Sequence, residues 1–210
     1  MNKYIIKKSD ITSEDIEQAG HIHQQEISQG FLSSLGEKAL LSIFSLAAEK
    51  RTGILLIARD AIQGNVCGFL LGTIDTGKFY KDFLFKKSFF VFINLLPKLL
   101  SLSKIRKIVE TLVYPSKNEL NDLPKAELLD IAISKEYQGR GLAQILFKEF
   151  SACLNEFGID EFKITTGESL KQAQRFYEKL GAIKIGTIEV HKGQKTFVYC
   201  YKISKNESKK

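Results

Sequence analysis

LLDIAISKEYQGRGLAQILFKEF, residues 128–150, runs from an apolar segment through a turn with almost no side chains into an amphipathic segment. Gly139 and Gly141 stand two residues apart, with Ala143 just beyond. A glycine inside a regular element costs roughly 0.5–1 kcal/mol relative to alanine, so two of them need a reason. One reason is a tight turn. The other is a ligand that approaches the backbone too closely for a Cβ. A strand that turns into a helix leaves backbone N–H groups unpaired at the positive end of the helix dipole, which is a ready anion site. Arg140 adds a mobile positive charge. The lysine and Ser/Thr of a nucleoside-triphosphate loop are missing, and so is the full GxGxxG pattern. The stretch therefore points to diphosphate binding without the parts for hydrolysis or hydride transfer.

Outward from this stretch the chain alternates short apolar runs with helical periods. EFKITT (161–166) reads as a strand and SLKQAQRFYEKLG (169–181) as a helix stopped by Gly181. AIKIGTIEVH and KTFVYCYKIS form a hairpin across KGQ. On the N-terminal side, KYIIKKSD reads as a first strand, and Thr12 or Ser13 caps a helix that runs to about Glu26 and carries His21 and His23. SQGFLSSLG reads as a loop and EKALLSIFSLAAEK as a second helix. GILLIARD and NVCGFLLGTI are strands of a hairpin. The six-residue tail, 205–210, reads as disordered.

The chain has 210 residues, 44% hydrophobic and 26% charged, ordinary values for a globular protein. Its net charge of +7 favours an anionic partner. Between Lys78 and Val113 there are eight Lys/Arg against two Asp/Glu, in a segment also rich in Phe and Leu. It is expected to form one or two helices broken at Pro97. Cys67, Cys153 and Cys200 lie far apart and show no metal spacing, so reduced thiols in a cytoplasmic protein are expected and no metal site. The first residues have no apolar signal core, and no stretch reaches the roughly 18 apolar residues that span a bilayer.

Two segments in order, LLDIAISKEYQGRGLAQILFKEF and SLKQAQRFYEKLGA, resemble the GCN5-related N-acetyltransferase (GNAT) family. Gln138, Gly141 and Ala143 match the family's [Q/R]-x-x-G-x-[G/A] acyl-CoA signature, and Phe176 to Gly181 match its FYEKLG ending. The resemblance covers about Leu128 to Ala182. It implies an α/β fold in which a mixed, mostly antiparallel sheet splays between its fourth and fifth strands, flanked by helices, in a single domain over 1–204. It also implies acetyl-CoA as cosubstrate. The pantetheine arm would lie along Leu129 to Ile133, touching Ile131, Ala132 and Ile133, and the pyrophosphate on Gln138, Gly139, Arg140, Gly141, Leu142 and Ala143. Tyr177 matches the tyrosine cast as general acid toward the sulfur.

The resemblance does not supply a base. Glu127, Asp130, Glu168, His21 and His23 are the candidates, with Asp130 and Glu168 placed beside Tyr177 in the catalytic set. Leu170 stands where many members have asparagine, Thr165 where some have a glutamate base, and Ala182 where phenylalanine is usual. The segment 78–124 reads as an insertion. Three uses compete for it: packing or a homodimer contact, a wall over the acceptor, or a peripheral membrane contact through 78–113. The acceptor is expected to be a small-molecule primary amine, a nucleotide-linked amino sugar fitting the charge. A protein or peptide acceptor and a non-catalytic CoA-binding module are the alternatives. Nucleic acid is not expected, since no base-reading motif accompanies the basic run.

Overall fold

Thr12, just before the first helix, accepts a hydrogen bond from the Asp15 N–H at 3.2 Å, and the Asp15 carboxylate accepts one from the Thr12 N–H at 2.9 Å. This reciprocal box starts α1 (Ser13–Glu26) where the sequence places it. The computed structural model describes residues 3–27, 31–49, 51–85, 123–191 and 194–204. Its strands are β1 (Tyr4–Lys7), β2 (Gly53–Asp60), β3 (Val66–Thr73), β4 (Glu127–Ile133), β5 (Glu161–Gly167), β6 (Ile183–His191) and β7 (Gln194–Lys202). They form one seven-stranded sheet in the order β1-β2-β3-β4-β5-β7-β6. Every neighbouring pair is antiparallel except β4 and β5, which run parallel. The mixed, mostly antiparallel sheet is the one the sequence resemblance implies.

Helices cover both faces. On one lie α1, α2 (Phe31–Ser34), α3 (Glu37–Glu49) and α4 (Thr76–Phe85), whose apolar residues Ile22, Ile43, Phe44 and Phe79 pack with Leu55, Ile57 and Phe69 of the sheet. On the other lie α5 (Leu142–Glu156) and α6 (Lys171–Lys179), where Leu146, Phe147, Phe150 and Tyr177 meet Leu56, Leu70, Phe162 and Ile164. One detail differs from the sequence reading and a second narrows it. Residues 31–34, read as loop, form a helical turn, too short for any period to announce. The start of the basic segment is core: α4 begins at Thr76, and Phe79, Tyr80 and Phe83 are buried. The rest of the segment, with the expected break at Pro97, and the tail lie outside the described residues.

Asp15 also ties α1 to the sheet edge. It is fully buried and bonded to Lys7 Nζ at 2.7 Å and to Arg59 Nη2 at 2.7 Å. Burial alone would raise its carboxyl, but the bonds from Lys7, Thr12 and Arg59 outweigh it and pull it down to about 2. A carboxyl lowered by folding stabilises the native state above its unfolded value and loses that contribution as pH falls through the folded one. Asp15→Asn is therefore expected to cost roughly 2 kcal/mol at pH 7. Denaturant titration should show the gap shrinking as pH approaches 2; a gap independent of pH would contradict the assignment.

Candidate active site

β4 and β5 pair only at Glu127↔Lys163 and Leu128↔Ile164, then part. From Leu129 onward, β4 keeps β3 on one side and presents open backbone on the other. The same point carries a bulge. Leu71 of β3 faces Asp130 and Gly72 faces Leu128, which leaves Leu129 without a partner. A bulge sends two successive residues to one face and re-aims the side chains beyond them. Leu128 packs on the α5 side and Leu129 on the α1 side. Simple alternation would return Asp130 to the α5 side; the bulge turns it to α1 instead.

There it meets His23. The Asp130 Oδ2 and His23 Nδ1 atoms are 2.6 Å apart, and the two residues are 9% and 2% exposed. The other ring nitrogen, Nε2, lies 3.1 Å from Ser33 Oγ, and Ser33 donates to Ile27 O at 2.9 Å. Phe44 and Phe69 stack around the imidazole with ring centroids 6.3 Å away. Burial raises the Asp130 carboxyl above the ordinary carboxylate range, and the bond to His23 opposes this only in part. Tyr177, on α6, is 6% exposed and lies within electrostatic reach of Asp130. Burial first, and that carboxylate second, hold its hydroxyl well above the usual tyrosine range, so it stays protonated. Tyr80, on α4, is raised by burial and then by Glu127 and Asp130. A carboxyl raised by burial, within electrostatic reach of a phenol that keeps its proton, is a combination suited to a base and an acid.

The remaining candidates stand elsewhere. Glu127 accepts bonds from Thr76 and Thr165, both at 3.0 Å, with Lys163 Nζ 3.4 Å away, which makes it a tie between strands. Glu168 is exposed on the turn after β5. His21 is exposed and contacts Gln25 at 2.8 Å. Thr166 carries no signal in the sequence. It lies on the part of β5 that β4 has left, is 5% exposed, and its buried hydroxyl has no hydrogen-bond partner among the described residues. No group of three His, Cys, Asp or Glu side chains suited to a metal occurs among the described residues.

The glycine turn opens α5. Gly139 and Gly141 have φ of 73° and 79°, a backbone region that disfavours side chains, and a Cβ added at either would meet nothing within 4 Å. The glycines thus serve the left-handed turn, and the space above them is open. Gly141 is the N-cap and offers no capping side chain. Among the described residues, the N–H groups of 139–144 find no backbone acceptor. Arg140 is exposed with its guanidinium 5.4 Å above the Tyr137 ring. Gln138 spends its side-chain donors inward, on Glu26 Oε2 at 2.8 Å and Ile133 O at 2.9 Å. Glu26 also accepts from the Lys135 N–H at 3.0 Å. One face of α1 thereby carries His23 toward Asp130 and Glu26 toward the glycine turn, three residues apart.

The acetyltransferase (GNAT) family model matches residues 26–182, which contain the parting strands, the glycine turn and Tyr177. The chain belongs to the GNAT family. It is an N-acetyltransferase, and acetyl-CoA is the donor that family uses. Solved structures agree on the fold. An acetyltransferase of the GNAT family from Bacillus cereus is 16% identical, with a TM-score of 0.58 over 97% of this chain and 100% of that one. The ribosomal-protein-S18-alanine N-acetyltransferase from Escherichia coli is 15% identical, with a TM-score of 0.57 over 96% and 94%. The NatC complex bound to Gag peptide and CoA is 13% identical, with a TM-score of 0.61 over 97% and 100%. No curated protein matches the sequence significantly. No helix among the described residues is long and apolar enough to cross a membrane.

Proposed function

We propose that this N-acetyltransferase acetylates the primary amine of a small molecule by direct attack, with donor and acceptor bound together. The observation that carries the reading is the buried Asp130–His23 pair where β4 leaves β5, with Tyr177 within electrostatic reach of Asp130. The N–H groups of residues 139–143, which have no backbone acceptor among the described residues, hold the diphosphate of acetyl-CoA with Arg140 and Gln138 beside them. The pantetheine arm lies along the open edge of β4 at Ile131, Ala132 and Ile133, in the manner of an added strand. The orphaned Thr166 hydroxyl facing that gap supplies a further polar contact. Three unpaired thiols among the described residues, Cys67, Cys153 and Cys200, suit the cytoplasm.

Each residue then has one task. An alkylammonium with a pKa near 10.4 is unreactive at neutral pH, so a proton must leave first. Asp130, raised by burial, takes it. The freed nitrogen forms the N–C bond at the thioester carbonyl, and the C–S bond breaks. Tyr177 gives its proton to the departing thiolate and recovers one from the nitrogen as the amide forms. The ammonium thus loses two protons, one to Asp130 and one, by way of Tyr177, to the thiol. Glu168, exposed on the turn after β5, is assigned the transfer of the released proton to water.

The acceptor amine must reach a carboxylate that is 9% exposed, which suits a slim, unhindered amine. The net charge of +7 favours an acceptor that carries negative charge, such as a nucleotide-linked amino sugar. Thiol release from acetyl-CoA should be measured against nucleotide-linked amino sugars, simple amines, polyamines and peptides. Turnover of small anionic amines is expected. Turnover confined to peptides or polyamines would overturn the acceptor assignment.

A further inference from the structure

Ser33 has one hydroxyl proton, and that proton goes to Ile27 O at 2.9 Å. While it does, its oxygen can only accept toward His23 Nε2, 3.1 Å away, so Nε2 then carries a hydrogen. The 2.6 Å gap between Nδ1 and Asp130 Oδ2 must then hold one proton as well, since two bare acceptors would not approach so closely. This is one of the two protonation states the contacts allow, a pair with a shared proton.

We infer that His23 is a positioning residue that sets when Asp130 can act as base: the carboxylate takes the amine's proton only after the pair has lost one of its two protons, the one on Nε2, to solvent. In the released state Nδ1–H donates to an ionised Asp130, and Nε2 has a free lone pair. The Ser33 hydroxyl turns from Ile27 O to Nε2, so the same serine satisfies the ring in both states. No other atom has to move. Of the two acids, Asp130 is the more exposed and meets the amine, whereas His23 stands behind it.

The surroundings make the pair the titrating unit. Asp130 is faced by His23 of α1, Tyr80 of α4 and Tyr177 of α6, with the Ile131 N–H of its own strand. Both tyrosines are held neutral through the physiological range by burial. His23 is faced by Ser33 of α2, Phe44 of α3 and Phe69 of β3, none of which carries charge. A pair coupled this tightly loses its protons in steps that belong to both members.

The inference rests on Asp130 being the base, and the experiments separate the two. In the free protein, nitrogen NMR of the ring should show Nε2 protonated on the acid side, with a far-downfield, slowly exchanging proton at Nδ1 that disappears in Asp130→Asn. A ring with a bare Nδ1 at every pH would overturn the shared proton without any reference to activity. In steady-state kinetics, the acid limb of the kcat/KM profile should coincide with the ring's titration. His23→Asn supplies a permanent donor and no shareable proton, so it should move that limb down by at least one pH unit. His23→Leu supplies no donor and should leave the limb well above that of His23→Asn while lowering the rate at neutral pH at least ~10-fold. Acetyl-CoA affinity should be unchanged in both. If the variants lower the rate equally at every pH and the limb stays in place, His23 is packing and the inference fails. If Asp130→Asn reacts as fast as the wild type, the assignment of the base fails instead, whatever the ring shows.

Discussion

Gly141→Glu is expected to abolish acetyl-CoA binding while the protein stays folded. The glutamate Cβ would meet nothing within 4 Å, so no packing is disturbed. Its cost is the left-handed backbone, with φ of 79°, roughly 1–2 kcal/mol for an L residue. Part of that is returned, because a carboxylate at the start of α5 lies at the positive end of the helix dipole and is worth about 0.3–1 kcal/mol there. The same carboxylate would stand where the diphosphate has to sit. Two unit charges 4 Å apart near a protein surface repel by about 4 kcal/mol. Affinity should therefore fall by more than ~100-fold. Gly141→Ala separates the causes: it carries the same backbone strain without the charge and should weaken binding far less. Calorimetry that finds wild-type affinity in the glutamate variant would refute the phosphate cradle.

The glycine turn was legible because a left-handed turn writes itself into the sequence as glycine, and the residues it needs are adjacent. The same holds for the start of α1, where Thr12 and Asp15 sit at the spacing a capping box demands, and for the buried strands with their continuous apolar runs. The candidate catalytic residues were legible only in pieces. Asp130 and His23 are 107 residues apart, and what joins them is a bulge at Leu129 together with the seating of α1 on the sheet. A bulge has no side-chain pattern of its own, and alternation along β4 would send Asp130 to the opposite face. Thr166 looked like any threonine in a strand, because its unpaired hydroxyl matters only once β4 has moved away. Tyr80 was hidden for another reason. It sits in a run of lysines and aromatics that left packing, an acceptor wall and a membrane contact all open, and α4 turns its Phe79, Tyr80 and Phe83 into the core. Local conformation left a signature; long-range juxtaposition did not.

Tyr177→Phe should separate chemistry from binding more cleanly than any other change at this site. The ring remains in the core formed with Phe147, Phe162 and Ile164, so the apolar burial is kept. The hydroxyl makes no hydrogen bond within the described residues, and its removal leaves no buried partner stranded. Stability should be unchanged or slightly higher, and acetyl-CoA affinity should hold. The rate should not. A positioned acid contributes roughly 10²–10⁴-fold, so kcat is expected to drop by at least ~100-fold at pH 7 with little change in KM. The pH profile adds an independent check. Burial and the nearby Asp130 carboxylate hold the phenol above the ordinary tyrosine range, so the wild-type rate should show no alkaline fall near pH 10. On the acid side the rate should fall as the raised Asp130 carboxyl gains its proton, at higher pH than an ordinary carboxylate would give, and Asp130→Asn should erase that limb. If Tyr177→Phe retains kcat within threefold, the thiolate departs without its help and the acid must be sought elsewhere. If instead kcat and acetyl-CoA affinity fall together, the tyrosine acts through the fit of the donor in the parted strands rather than through its proton.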